Sequence, residues 1–380
     1  MYLHLLAFPQ DTSALHYTRD HHMPVTPQEM YESMVVSKHG SYCFGQNGLL
    51  LGMLRGLGYR AYAAAGRVLL PPSPPSPHSA TLVYSAPHHL VLLVQPHDAS
   101  GPHGNMTYMV DVGFGGTGPV RPILLADGSS GLKQRTPEDG DHNDPDGEST
   151  ATGGWIWGTY PPERHRLVRG ALPDSSLGAS RSPTSPTAYA ETHRVETHGG
   201  SGRAPVHDWH LQVSHASAHP SNTSDTSSSA EKSEWTTLYS FAEAEFFQAD
   251  IDAASFAVSR MPGSFFLTTI ICTRRFLVVL QSAEDEEELR LRDKHALPTS
   301  INSAEGLDLG DVGPGPFVGK WNLEGARATK RIGREVVEEK RFVTESDRVE
   351  ILRDVFGVGV RPEDEQWIVG WPSALPSDPT

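Results

Sequence analysis

The chain has 380 residues, a formal net charge of −15 and only two cysteines. That length accommodates two or three domains of ~100–200 residues, the acidic balance argues against a general nucleic-acid binder, and two cysteines give no disulfide framework, which fits a reducing cytosol. No stretch reaches the ~18 consecutive apolar residues of a membrane span.

In chain order, the start MYLHLLAFPQD lacks a basic leader and a small-residue cleavage site, so it does not read as a signal peptide. The first 66 residues read as helical. Thr26-Pro27-Gln28-Glu29 supplies an N-cap with proline at the first helical position. In GSYCFGQNGLLLGMLRGLGY (40–59), Leu49, Leu50, Met53, Leu54 and Leu57 recur with helical spacing, and Gly58 is a C-terminal stop. Cys43 then falls in the first turn, where unpaired N–H groups and the positive dipole end favour a thiolate. By itself it reads equally as a small buried hydrophobe.

A proline-rich break, PPSPPSPHSA (71–80), precedes two strand signals, HHLVLLVQ (88–95) and TYMVDVGF (107–114). Segments 125–153, 173–204 and 215–232 are rich in Ser, Thr, Gly, Pro, Asp and His and read as surface insertions or disorder. Residues 234–280 read as a helix followed by strands, IICTRRFLVVL (270–280) being one buried strand. The charged run 284–294 reads as a solvated helix or turn. Thr344-Glu345-Ser346-Asp347 is a capping-box variant that opens a helix closed by Gly357, and residues 362–380 read as a tail.

Polar residues inside the two strand signals stand out. His89 opens an apolar strand and Asp111 interrupts Met109-Val110-Val112. A buried carboxylate needs hydrogen-bond partners, and an imidazole on a neighbouring strand is one. Either residue alone could be a satisfied structural group, and sequence parity does not separate His89 from His88. The order of a cysteine at a helix start, then histidine, then aspartate supplies a nucleophile, a base and an orienting group. His207 and His210 lack a closed ligand set with zinc spacing, so no metal is expected.

Cys-Phe-x-x-Asn at 43–47, His-Leu-Val-Leu-Leu-Val at 89–94 and Val-Asp-Val-Gly-Phe-Gly-Gly at 110–116 resemble the arylamine N-acetyltransferases of the fungal kind. The resemblance continues through Trp235–Phe241, Pro262–Phe266 and Thr344–Gly357. It departs from the family pattern where His39-Gly40-Ser41-Tyr42 replaces Arg-Gly-Gly-x, and where Gly45 replaces Glu or Gln. In the segment after Pro262, Leu267 takes the usual Thr position, with Thr268 beside it. Against that pattern, the family's first helices are expected before Phe8-Pro9.

The resemblance implies an α+β fold with a cysteine-protease-like triad. A helical segment (1–66) carries Cys43, a β-barrel domain (67–240) carries His89 and Asp111, and a smaller α/β lid (241–361) precedes the tail. It implies Cys43, His89 and Asp111 as the triad, Phe114 beside the aromatic acceptor, and Gly115, Gly116, Ser264 and Thr268 as substrate or coenzyme A contacts. The implied reaction is acyl transfer from acyl-coenzyme A, a co-substrate, to an arylamine or arylhydrazine, with no permanently bound cofactor, no nucleic-acid or membrane partner and a cytoplasmic location. A cysteine hydrolase or transglutaminase-like enzyme uses the same residue order, and a non-catalytic relative is the third reading.

Overall fold

Among the described residues, two antiparallel sheets, one of eight strands and one of five, organise the fold. The computed structural model describes residues 1–71, 82–95, 106–126, 155–173, 175, 208–215, 235–278 and 317–375. The run 284–294 and nearly all of the three insertion-like segments and the proline-rich break lie outside them.

The N-terminal part comprises α1 (Tyr2–Ala7), β1 (Gln10–Asp11), α2 (Pro27–Met30), which continues as a π-helical turn over Tyr31–Val36, and α3 (Cys43–Gly56). Thr26 caps α2 by accepting the Glu29 N–H. Beyond α3, Gly58 adopts φ +83°, the left-handed conformation that ends a helix. Leu49 and Leu50 are buried, whereas Met53 and Leu57 are exposed, so only the first half of the apolar stripe is covered.

The larger sheet contains β2 (Arg60–Val68), β3 (His89–Gln95), β4 (Tyr108–Val110), β5 (Ile123–Leu124), β6 (Trp155–Trp157), β7 (Arg164–Gly170), β8 (Asp208–Ser214) and β9 (Thr236–Glu245). Their spatial order is β5-β4-β3-β2-β9-β8-β7-β6, and β5 reaches β7, so the sheet curls into a nearly closed barrel. Next come α4 (Gln248–Arg260), α5 (Phe265–Thr268), β10 (Ile271–Leu277), β11 (Val318–Glu324), β12 (Arg327–Ile332), β13 (Glu335–Arg341) and α6 (Glu345–Asp354). The smaller sheet runs β1-β10-β11-β12-β13, so a strand from the start of the chain completes it. This is the expected α+β architecture.

The continuous apolar run of β3 has a direct cause. Leu90, Leu92 and Val94 pack toward α3, while Val91 and Leu93 pack into the barrel with Leu167, Leu211 and Phe241. Both faces are buried, so the period-2 alternation of a half-exposed strand disappears.

Three sequence expectations need correction. Residues 60–66 are strand, not helix: the alanine-rich RAYAAAGRV has little intrinsic strand preference, but pairing with β3 and β9 fixes it. Residues 236–245 are likewise strand, at the start of the segment read as a helix followed by strands. The tail is docked through residue 375. His21 stacks on Trp371 with centroids 3.8 Å apart, Ile368 is buried, and the fully buried Arg348 donates to Ser373 O at 3.1 Å while also bonding Tyr17 and Glu345.

Two buried histidines make this packing sensitive to acid. Burial, helped by the Arg348 guanidinium, holds His16 down to about 3, and burial holds His4 at about 4 against the pull of its Gln46 hydrogen bond. Below pH ~6.5 the unfolded chain binds protons at these positions that the folded chain refuses, so stability falls with falling pH, by about 1.4 kcal/mol per pH unit for each group. Urea unfolding of His16→Gln between pH 6.5 and 5 is therefore expected to show a shallower pH slope than the parent; identical slopes would remove His16 from this account.

Candidate active site

The approach to α3 is fixed by close backbone contacts. Gly40 N–H donates to Asp11 Oδ2 at 3.2 Å, and a side chain at Gly40 would collide with Pro9 O. Asp11 N–H donates to Ser41 O at 3.0 Å. Tyr42, the N-cap, anchors its hydroxyl on Ser255 of α4, 2.5 Å from Oγ. Gln46 ties the same turn to Pro9 O and to His4. Cys43 is thereby delivered at the first position of a 14-residue helix.

His89 begins β3 and faces Gly66 across the ladder with β2. Its Nε2 lies 2.7 Å from Asp111 Oδ2, and Cys43 is near enough to add to the upward pull on its protonation. An ionised aspartate only accepts, so Nε2 carries the proton. His88 lies just outside the strand; its carbonyl, 3.8 Å from the Cys43 sulfur, is its contribution to the site. His89 is thus the imidazole the fold brings between Cys43 and Asp111.

Asp111 follows β4 and is fully buried, with every lone-pair direction occupied. Oδ2 accepts from His89 and from Tyr239 OH at 2.8 Å; Oδ1 accepts from Asn47 Nδ2 at 2.9 Å and Gly113 N–H at 2.8 Å. Asn47 also accepts the Val112 N–H at 3.0 Å and donates to Leu90 O at 2.6 Å, joining α3, β3 and the loop after β4. Burial alone would raise Asp111, but His89, Asn47 and Gly113 outweigh it and hold the carboxyl below its ordinary value. Burial alone would lower His89, but the Asp111 charge, its hydrogen bond and Cys43 push it up to about 10. Cys272, by contrast, is pushed well up by burial and by Asp11.

Phe114 meets the His89 ring edge-on at 5.2 Å and Tyr239 at 5.0 Å, forming an aromatic wall beside the imidazole. Gly113 has to be glycine, because a Cβ there would press on the Cys43 backbone and Asn47. Gly115 is in the left-handed region at φ +92°, and Gly116 lies against Lys320 and Asn322. Ser264 and Thr268 spend their hydroxyls on their own segment, Ser264 donating to Val258 O at 2.5 Å and Thr268 to Phe265 O at 3.2 Å. Their segment approaches the cysteine loop through Phe266, which packs edge-on against Tyr42 at 5.7 Å. His210 is satisfied by Ser240 and Gly170 O.

Residues 1–139 match the sequence profile of the N-acetyltransferase family. An N-malonyltransferase of Gibberella moniliformis is 23% identical over 364 residues, spanning 95% of this chain and 77% of the relative. An arylamine N-acetyltransferase of Mycobacterium tuberculosis is 34% identical over 108 residues, 28% of this chain and 33% of the relative. Over its first 139 residues, and at lower identity over most of its length, the chain is similar to arylamine N-acetyltransferases and related N-acyltransferases. The fold agrees as well. The M. smegmatis arylamine N-acetyltransferase superposes with a TM-score of 0.55 at 17% identity, covering 98% of this chain and 89% of that one. The Mycobacterium marinum enzyme in complex with CoA gives 0.52 at 20% identity, covering 97% and 89%.

Tyr239 and Asn47 had no assigned role in the sequence reading. Asn47 was visible within the Cys-Phe-x-x-Asn motif; Tyr239 sits in an ordinary strand pattern, and nothing local marks its hydroxyl as facing a carboxylate. The two departures from the family pattern around Cys43 prove to be neighbours. A Cβ at Gly45 would overlap Ser41 Cβ and Oγ, so the larger residue at 41 is matched by the smaller one at 45. Gly45→Gln is expected to lower stability by about 1–3 kcal/mol through overpacking, and Ser41→Gly in the same chain is expected to recover most of it. Strictly additive urea midpoints across the double-mutant cycle would show that the two sites are not coupled.

Proposed function

We propose that the protein transfers an acyl group from acyl-coenzyme A to an arylamine or arylhydrazine by a ping-pong route through an acyl-Cys43 intermediate. The observation that carries this reading is the convergence of Cys43, at a helix N-terminus, with a His89 bonded to Asp111, whose carboxylate is saturated by four donors. The thiol proton passes to His89, and the thiolate–imidazolium pair is stabilised by Asp111 on one side and the helix end on the other. The thiolate attacks the thioester carbonyl. N–H groups of the first turn, which have no intrahelical acceptor, receive the oxyanion. The coenzyme A thiolate leaves with the His89 proton. The amine then attacks the acyl-cysteine, gives its proton to His89, and releases the Cys43 thiolate.

Phe114 and the rings around it suit a flat aromatic acceptor. The fungal relatives are named N-malonyltransferases, so malonyl-coenzyme A belongs beside acetyl- and propionyl-coenzyme A as a candidate donor. A cysteine hydrolase would consume the donor without an amine, which separates that reading.

Intact-protein mass spectrometry after incubation with each donor is expected to show one acyl adduct, absent in Cys43→Ala and discharged by an aromatic amine. Asp111→Asn is expected to slow adduct formation on the order of 10³–10⁴-fold, because the amide can donate to the ring and select the wrong tautomer, while circular dichroism stays parent-like. A folded Asp111→Asn protein that acylates at the parent rate would remove Asp111 from the mechanism. Iodoacetamide near neutral pH is expected to alkylate Cys43 well ahead of Cys272, which burial keeps protonated.

A further inference from the structure

An acidic chain that takes a polyanionic co-substrate needs a local positive site, and β10 supplies one. Adjacent strand residues face opposite ways. Arg274 turns to the C-terminal helix and donates to Phe356 O at 3.2 Å. Arg275 turns inward, buried, and donates from Nη2 to Gly115 O at 2.6 Å and Gly118 O at 3.3 Å. Directly across the ladder stands Lys320, whose Nζ donates to Gly116 O. Gln10 of β1 holds Gly113 O at 2.8 Å, and His165 of β7 holds Thr117 O at 2.9 Å. The carbonyls of the glycine loop are thus tied from behind by side chains of both sheets. Among the described residues the N–H groups of 114–117 donate to no protein acceptor.

A like-charge pair placed directly opposite in a ladder is destabilising, and desolvation adds to the cost. The local compensation comes from Glu163, which spends Oε1 on the Thr159 N–H and hydroxyl, and from Asp111, which also acts on Arg275 but is bonded to His89. Arg275 Nη1 is buried without a hydrogen-bond partner. The cluster therefore remains cationic, under the loop beside which the family resemblance places coenzyme A.

We propose that Arg275 and Lys320 are positioning residues for the acyl donor, fixing the glycine loop with its carbonyls turned back and placing positive charge beneath its N–H edge to receive the donor's anionic groups. This rests on the acyl-coenzyme A reading above. Lys320 is the titratable member. Burial lowers it to about 8, with Glu163 opposing and Arg275 and Arg331 reinforcing, and His215 also faces it. Donor affinity is therefore highest below that pH and declines above it.

The test is coenzyme A protection of Cys43 against iodoacetamide, which gives a dissociation constant without turnover, alongside kcat and KM for acetyl-coenzyme A. Lys320→Met is expected to weaken coenzyme A binding about tenfold and raise KM similarly, with kcat changed less than twofold; Lys320→Arg is expected to restore binding to within twofold. From pH 7 to 9 the parent's affinity is expected to fall while that of Lys320→Arg stays flat. Parent-like binding by Lys320→Met, or equal losses in the Met and Arg variants, would overturn the inference while leaving the acyl-transfer reading intact. A parent that millimolar coenzyme A does not protect would overturn both.

Discussion

The buried carboxylate of Asp111 is the constraint on which the site depends. A charge removed from water is tolerated only when its lone pairs are filled, and here the donors come from α3, β3, β9 and the carboxylate's own loop. No local segment can provide that set. The ion is therefore acceptable only once the barrel has closed around it and α3 has docked, and the same contacts that make it acceptable set the imidazole tautomer. Stability and preorganisation share one group of hydrogen bonds.

The smaller sheet does more than cover the site. Its first strand comes from residues 10–11, and its second and third strands send Arg275 and Lys320 beneath the loop that follows Asp111. The start of the chain, the cysteine loop and the C-terminal unit are thereby fastened together. At the far end, Arg348 bonds to Tyr17, Glu345 and Ser373 O, so a second buried charge joins N-terminal and C-terminal segments. Asp111 and Arg348 thus both sit where segments distant in sequence converge.

Around Cys43 the chain departs from the arylamine N-acetyltransferase pattern in a compensated way. Ser41 and Gly45 lie one helical turn apart on touching surfaces, and their sizes are exchanged relative to the usual pattern. The backbone path into α3 is kept by Gly40, whose Cβ position is filled by Pro9 and Asp11. The helix start that delivers the sulfur is preserved while the packing beside it has changed.

The sequence by itself was enough to locate a cysteine at a helix start, a histidine opening an apolar strand and an aspartate closing another, because capping residues, glycines and hydrophobic spacing act over a few residues. It also carried the capping box before α6 and the left-handed stop at Gly357. It misread 60–66 and 236–245, where alanine and glutamate favour helix locally but ladder partners far along the chain impose strand. Strand parity left His88 and His89 open, and the family resemblance pointed to His89. The tertiary structure places His89 against Asp111, since that depends on where β3 begins and which face meets the carboxylate. Only it gave Tyr239, Arg275 and Lys320 a place at the site, because their contacts span 128, 160 and 204 residues of sequence. Local pattern carries no record of strand register at that range, and register is what turns these side chains toward the reacting centre.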